Sequence, residues 1–173
     1  MTRRYLQAAN RALACALAVG LGMSAARAQD TAAYTVKMMT PETALKAAQA
    51  ALGKCRNDGF QVTVAVVDRS GIVQVMLRDR YAGVHTPRMA ADKAWTAVTL
   101  RTNTDDLEKV TRPGMPQSGI RQRPRMVAIA GGLMIEGGGS LLGGIGVSGA
   151  PGGDRDEVCA RAGIAAIQDS IDF

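Results

Sequence analysis

The sequence predicts an α+β domain with a five-stranded antiparallel sheet flanked by helices. An apolar run at 62–67 is joined by a four-residue turn to a second run at 72–78. Three further apolar runs between 126 and 148 are separated by clusters of glycine. Consecutive runs joined by tight turns are typical of antiparallel hairpins and not of a parallel sheet. Alanine and leucine at helical spacing around these runs predict the flanking helices.

The first 28 residues are typical of a cleavable signal peptide. Three arginines precede an apolar run at 12–23, and Ala26-Arg27-Ala28 fits an A-x-A cleavage site. The apolar run is too short to span a bilayer, which argues against a permanent membrane anchor. We therefore expect an exported chain that begins at Gln29 and is periplasmic or secreted.

The remaining 145 residues (173 minus 28) are enough for one domain with an adequate core. We expect a flexible segment over 29–39 and a single domain over 40–173. Removing the four arginines of the leader from the 21 basic residues leaves 17 against 15 acidic ones, a mature charge of +2. Near-balanced charge, 3% aromatic residues and the absence of a basic stripe argue against nucleic-acid binding.

Two cysteines remain after the leader, Cys55 and Cys159, each on a predicted helix. In an oxidising compartment the two can form a disulfide. The alternative is a pair of buried thiols that act as small hydrophobic side chains. The absence of C-x-x-C spacing excludes a zinc or thioredoxin-type site.

The first half of the domain begins with a helix. Thr40 is suited to cap it, Pro41 fits its first position, and Gly59 suits the left-handed residue after its end. The run at 62–67 is rich in β-branched residues and nearly continuous in apolar ones, which predicts a strand covered on both faces. The turn Asp68-Arg69-Ser70-Gly71 leads into its partner strand.

The second half begins with a helix that Thr86 is suited to cap, with Pro87 at its first position, and continues with a shorter helix capped by Thr104. Three prolines and two glycines at 112–124 predict a long loop. The three glycine-separated strands follow. A last helix over 154–170 opens with acidic residues, which suit the positive end of its dipole.

Three motifs resemble the GlcG/HbpS family of haem-binding proteins, which also includes a domain fused to some corrinoid adenosyltransferases. The motifs are Ala65-Val66-Val67-Asp68-Arg69-Ser70-Gly71, then Ala82-Gly83-Val84-His85-Thr86-Pro87 followed by Lys93-Ala94-Trp95-Thr96-Ala97, and Gly144-Ile145-Gly146-Val147-Ser148-Gly149 before the acidic helix start. The resemblance covers about 40–171. It implies a profilin-like α-β-α layered domain that assembles into a homo-oligomer, with haem as the cofactor.

His85 is the only histidine in the chain, so it cannot form a multi-histidine metal site. Haem needs only one strong axial ligand, and we expect His85 to be that metal ligand. His85 and Thr86 also lie at a predicted helix N-terminus, where free amides can hold an anion such as a propionate. The alternative is that His85 only makes hydrogen bonds within its loop.

Basic side chains are the candidate partners of the haem propionates, and we expect them to include Arg80, Arg88 and Arg123. Lys93 is a further candidate, because a lysine among alanines beside Trp95 can be partly buried. The alternative for Lys93 is a side chain that extends to solvent along an apolar surface. The arginine-rich bend at 121–125 is either a solvated loop or an anion contact.

Glycines at 144, 146, 149, 152 and 153 have two interpretations. They can cradle a phosphate before a helix N-terminus, or they allow a helix to pack closely on a strand. The spacing lacks the lysine of a phosphate-binding loop, which favours close packing.

The function that these features predict is an exported protein that binds haem or a related tetrapyrrole for uptake, storage or sensing. One alternative is an enzyme that acts on a small anionic substrate, with His85 and Lys93 as acid and base. The other is an accessory oligomer without a small ligand.

Overall fold

The computed structural model describes residues 32–172. The predicted signal peptide, 1–28, lies outside that range. Residues from Val36 onward form one compact unit. Its elements, in chain order, are helix α1 Pro41–Asn57, strands β1 Thr63–Asp68 and β2 Val73–Arg78, helices α2 Thr86–Leu100 and α3 Thr104–Val110, a 3-10 turn Ser118–Gln122, strands β3 Gly132–Gly137 and β4 Ser140–Ser148, and helices α4 Gly153–Ala165 and α5 Gln168–Ile171.

The predicted antiparallel sheet with flanking helices is confirmed, and its strand order is β2-β1-β4-β3. Strand β1 lies in the middle and is buried along its whole length, as its apolar sequence predicts. In its pairing with β4, Thr63 lies opposite Ser148 and Val67 opposite Gly144. This register places the end of β4 beside the start of β1.

The prediction of a fifth strand is wrong for the residues described, because 126–131 forms no ladder with the sheet. This segment instead runs along α2. The Val127 amide donates to Thr96 Oγ1 at 3.1 Å. That hydroxyl donates to the Asp92 carbonyl within α2 at 2.7 Å and lies 3.1 Å from the Arg125 carbonyl. A helix side chain therefore satisfies backbone groups that a strand partner would otherwise take.

Helices α1 and α4 share the main core with one face of the sheet, through residues such as Ala48, Val64 and Ile145. Helix α2 packs on the other face, where Ala94 and Val98 form a smaller cluster with Val67. The three layers are therefore helices, sheet and helix. Among residues 32–172, no helix combines the length and apolar character that a membrane crossing requires.

The close-packing interpretation of the strand glycines agrees with the structure. A Cβ on Gly146 would collide with the Ala90 carbonyl, and one on Gly144 would lie 2.7 Å from Val98 Cγ2. Gly149 has φ +134°, a conformation that favours glycine. Gly144 and Gly146 let α2 lie directly against β4.

The helix starts agree with the sequence to within one residue. Thr40 accepts a hydrogen bond from the Thr43 amide at 3.3 Å, and Pro41 begins α1 as predicted. Thr104 is the first residue of α3 and not its cap, because its hydroxyl accepts from the Gly132 amide at 2.8 Å. The predicted last helix is divided, with α4 ending at Ala165.

Cys55 and Cys159 form a disulfide, which decides between the two alternatives that the sequence left open. The bond joins α1 to α4 with a Cα–Cα distance of 5.5 Å and closes a chain segment of 104 residues. A cross-link across so long a segment restricts the unfolded chain strongly.

Replacing both cysteines by serine should lower the free energy of unfolding by about 2–5 kcal/mol, because the unfolded chain regains its freedom. Urea unfolding followed by circular dichroism measures the loss. Reductant should destabilise the wild type by a similar amount and leave the Cys55→Ser/Cys159→Ser variant unchanged. If the wild type and the variant were equally stable without reductant, the result would contradict a stabilising disulfide.

Candidate functional site

A cleft of about 390 Å³ opens where the N-termini of α2 and α4 meet the end of β4. Its lining combines glycines, three apolar side chains and several polar groups. The lining residues are Gly83, His85, Thr86, Met89, Lys93, Ile129, Ser148, Gly149, Ala150, Gly152, Gly153 and Asp156. The size and mixed lining are typical of a small-molecule site.

The floor of the cleft is formed by a buried ion pair between Lys93 and Asp156. Lys93 is 2% exposed, and its Nζ lies 2.8 Å from Asp156 Oδ2. The same ammonium donates to the Val147 carbonyl at 2.9 Å. The alternative in which Lys93 extends to solvent is therefore wrong.

The pair depends on a glycine on the neighbouring segment. A Cβ on Gly131 would lie 2.7 Å from Asp156 Cβ and 2.9 Å from Lys93 Nζ. Gly131 also has φ +109°, which an L side chain rarely adopts. Its carbonyl accepts from the Val147 amide at 2.9 Å, so the backbone approaches the pair without a side chain between them.

Asp156 fixes the loop before α4 as well as the lysine. Its Oδ1 accepts from the Ala150 amide at 3.0 Å, so both carboxylate oxygens have donors. Burial raises the pKa of the Asp156 carboxyl above its ordinary value, and the charge and hydrogen bond of Lys93 partly offset this rise.

His85 and Thr86 lie at the rim of the cleft. The His85 ring is exposed and lies against Gly83, where an added Cβ would be 2.8 Å from His85 Cε1. The Thr86 hydroxyl is buried, 2.7 Å from both the Gly83 carbonyl and Thr63 Oγ1. Thr86 therefore holds the loop in place, while the imidazole is left accessible.

The predicted arginine partners do not line this cleft. Arg80 lines a separate cavity of about 340 Å³ with Arg56, Gln61, Asp79 and Tyr81. Arg88 is 85% exposed and pairs with Asp92 at 3.5 Å. Arg123 is exposed in the long loop. Of the predicted site residues, the structure brings together His85, Thr86 and Lys93.

The arginine-rich bend is held against the protein at both ends. Arg121 donates to the Thr111 carbonyl at 2.8 Å. Arg125 donates to Asp92 at 2.9 Å, and its guanidinium carbon lies 4.4 Å from the centre of the Trp95 ring. These guanidinium groups are therefore engaged within the protein.

Of the polar side chains that line the cleft, the sequence predicts His85, Thr86 and Lys93 but neither Asp156 nor Ser148. For Asp156 the sequence predicts only a favourable position in the first turn of a helix. A buried lysine requires a counter-charge, but 63 residues separate Asp156 from Lys93, and local patterns do not identify such a partner. Across residues 32–172, no three His, Cys, Asp or Glu side chains are grouped to hold a metal ion.

The chain resembles known proteins in sequence and in fold. Residues 39–165 match the model of a family described as "Haem degrading protein HbpS-like". The corrinoid adenosyltransferase PduO of Salmonella typhimurium is 33% identical over 121 residues, which are 69% of this chain and 36% of PduO. The chain thus spans about a third of the length of the curated adenosyltransferases that it matches.

Two solved structures resemble the fold closely. A double mutant of HbpS from Streptomyces reticuli has a TM-score of 0.73 and 39% identity, with 78% of this chain and 90% of that chain covered. PduOC in complex with haem has a TM-score of 0.70 and 30% identity, with 75% and 95% covered. The similarity therefore extends over nearly the whole of both solved chains.

Replacing Lys93 by methionine should lower the free energy of unfolding by about 3–5 kcal/mol, because the Asp156 carboxylate loses its counter-charge. Urea unfolding at neutral pH measures the change. Lys109→Met is the matched control. It removes an exposed lysine that pairs with Asp105 and Asp106 at 3.1 and 2.9 Å, so it should cost at most about 1 kcal/mol. Similar losses in the two variants would contradict a stabilising role for the buried pair.

Proposed function

The chain belongs to the HbpS-like family, and on that basis we propose that it binds haem or a closely related tetrapyrrole in the cleft between α2 and α4. The family description names haem, and PduOC, a structural neighbour at 30% identity, was solved with haem bound. The cleft that this chain forms has the size and mixed lining of a small-molecule site.

The observation that carries the proposal is the position of His85. Its ring is exposed at the rim of the cleft, and no side-chain hydrogen bond of His85 is present within residues 32–172. The imidazole is therefore available to an external partner. An imidazole nitrogen is a strong axial ligand for haem iron, and this is the only one in the sequence.

The other cleft residues suit a flat, largely apolar ligand with acidic groups. Met89 and Ile129 supply apolar surface, and Lys93 supplies positive charge at the floor. Bound haem would bring its redox-active iron to this site. Arg80, Arg88 and Arg123 lie outside the cleft lining, so they do not contact a ligand held within the cleft.

A second candidate function is catalysis in the same cleft. The family is described as haem degrading, and a buried lysine and aspartate border the space beside His85. In this alternative, His85 and the Lys93–Asp156 pair hold and transfer protons for a bound anionic substrate. Turnover of haemin, in place of stable binding, would favour it.

We also propose that the protein is exported. The leader-like sequence of 1–28 supports export, and so does the Cys55–Cys159 disulfide, because disulfides persist in oxidising compartments. The proposed location is the periplasm or the extracellular space.

Mass spectrometry of protein from its native host should find an N-terminus at or near Gln29, because the signal peptidase cleaves after an A-x-A motif. The periplasmic or secreted fraction should contain this species. A chain with an intact Met1 in the cytoplasmic fraction would contradict the proposal.

Titration of the protein with haemin should produce a Soret band that saturates. In His85→Ala the band should shift, and binding should weaken on the order of tenfold, because the nitrogen donor is lost while the apolar contacts remain. Absorbance spectroscopy measures both effects. Met115→Leu is the control, since this methionine is a potential ligand that does not line the cleft.

The titration also separates the proposed functions. Absence of a Soret band in the wild type would reject haem binding and leave the enzyme or the ligand-free oligomer. An unchanged spectrum and affinity in His85→Ala would keep haem binding and transfer the ligand role to another side chain, with Met89 as the candidate that lines the cleft.

A further inference from the structure

Ser148 is a polar side chain at the cleft floor without a partner. The residue is 5% exposed, lies at the end of β4 and lines the cleft. Within the described range, the fully buried side-chain nitrogen and oxygen atoms that lack a hydrogen-bond partner belong to Gln74, Asp79 and Asp105. The Ser148 hydroxyl makes no hydrogen bond within residues 32–172 and is not among these fully buried atoms, so it retains some exposure. The space beside Ser148 is the cleft.

Lys93 has one hydrogen-bond donor left at the same place. An ammonium group carries three N–H donors. Two of them are used by the Val147 carbonyl at 2.9 Å and by Asp156 Oδ2 at 2.8 Å. Since Lys93 lines the cleft, its third donor is available to a ligand there.

The N-terminus of α4 adds a third source of donors. Helix α4 has 13 residues, and its cap Gly152 supplies no side chain to the first amides. The Arg155 and Asp156 amides bond to the Gly152 carbonyl at 3.1 and 3.2 Å, so the amides without an acceptor within the helix are those of Gly153 and Asp154. They carry the positive end of the helix dipole, beside the exposed Asp154 carboxylate. Gly152 and Gly153 both line the cleft, so this end of the helix borders the same space as Ser148 and Lys93.

From these three groups we infer that the cleft floor is a binding subsite for a carboxylate. Asp156 accepts from one Lys93 donor and from the Ala150 amide, and it uses neither the third Lys93 donor nor the Ser148 hydroxyl. Asp156 neutralises the charge of Lys93, and the exposed Asp154 adds a negative charge at the start of α4. The floor therefore binds an anion mainly through hydrogen-bond donors, and it repels a singly charged carboxylate less than a doubly charged phosphate.

The source of the carboxylate rests on the proposed function. In a haem-binding protein it is a propionate group of the tetrapyrrole. His85 directly precedes α2 and Lys93 is its eighth residue, a separation of about 12 Å along the helix axis. The rim and the floor can therefore hold different parts of one ligand. A free small organic acid is the other source of the same chemistry.

The test compares haemin with its dimethyl ester, in which both propionates are neutral. Ser148→Ala should bind haemin about tenfold more weakly than the wild type, because one hydrogen bond to a charged group is lost. Its affinity for the ester should equal that of the wild type. Ser118→Ala, a serine of the 3-10 turn outside the cleft lining, should behave as wild type with both ligands.

A second arm uses sodium propionate alone and follows the melting temperature, with sodium chloride at equal ionic strength as reference. Propionate should raise the melting temperature of the wild type and of Ser118→Ala, and raise that of Ser148→Ala less. If the wild type binds no haemin but shows this pattern, haem binding fails and the subsite holds a free organic acid. If Ser148→Ala matches the wild type in both arms, the subsite is overturned, while haem binding by the wild type still stands.

Discussion

The buried ion pair between Lys93 and Asp156 joins elements from opposite faces of the sheet. Lys93 belongs to α2, Asp156 belongs to the first turn of α4, and the Val147 carbonyl between them belongs to β4. Both charges are almost wholly removed from solvent. Such a pair adds little net stability relative to apolar residues, but it fixes geometry, because either charge left alone would be costly.

The rest of the site follows from that pair. Asp156 also accepts from the Ala150 amide, so the loop that leaves β4 is held in the position that opens the cleft. Gly131 leaves room for the two charged groups, and Gly146 allows α2 to lie against the sheet at their level. Both glycines therefore contribute by leaving space that a larger side chain would fill.

The cleft combines an accessible rim with a charged floor. At the rim, Thr86 holds its loop through hydrogen bonds to Gly83 and Thr63, which leaves the His85 imidazole exposed beside it. At the floor, Lys93 and Ser148 retain donors that no residue within 32–172 uses. One ligand with a metal centre and an acidic group would match both parts, and haem has this chemistry.

The sequence by itself determined the local elements. It predicted the cap at Thr40, the turn after Asp68, the buried strand β1 and the loop that presents His85, because capping, turns and alternation act over a few residues. The tertiary structure decided the partners. Thr96 accepts from the Val127 amide across 31 residues, Asp156 is paired with Lys93 across 63 residues, and Cys55 meets Cys159 across 104. Arg80 and Arg88 were assigned to the site by charge alone, and the fold directs them elsewhere. These outcomes depend on which distant segments the core brings into contact. Periodic patterns in the sequence describe neighbouring residues, so they do not identify those contacts.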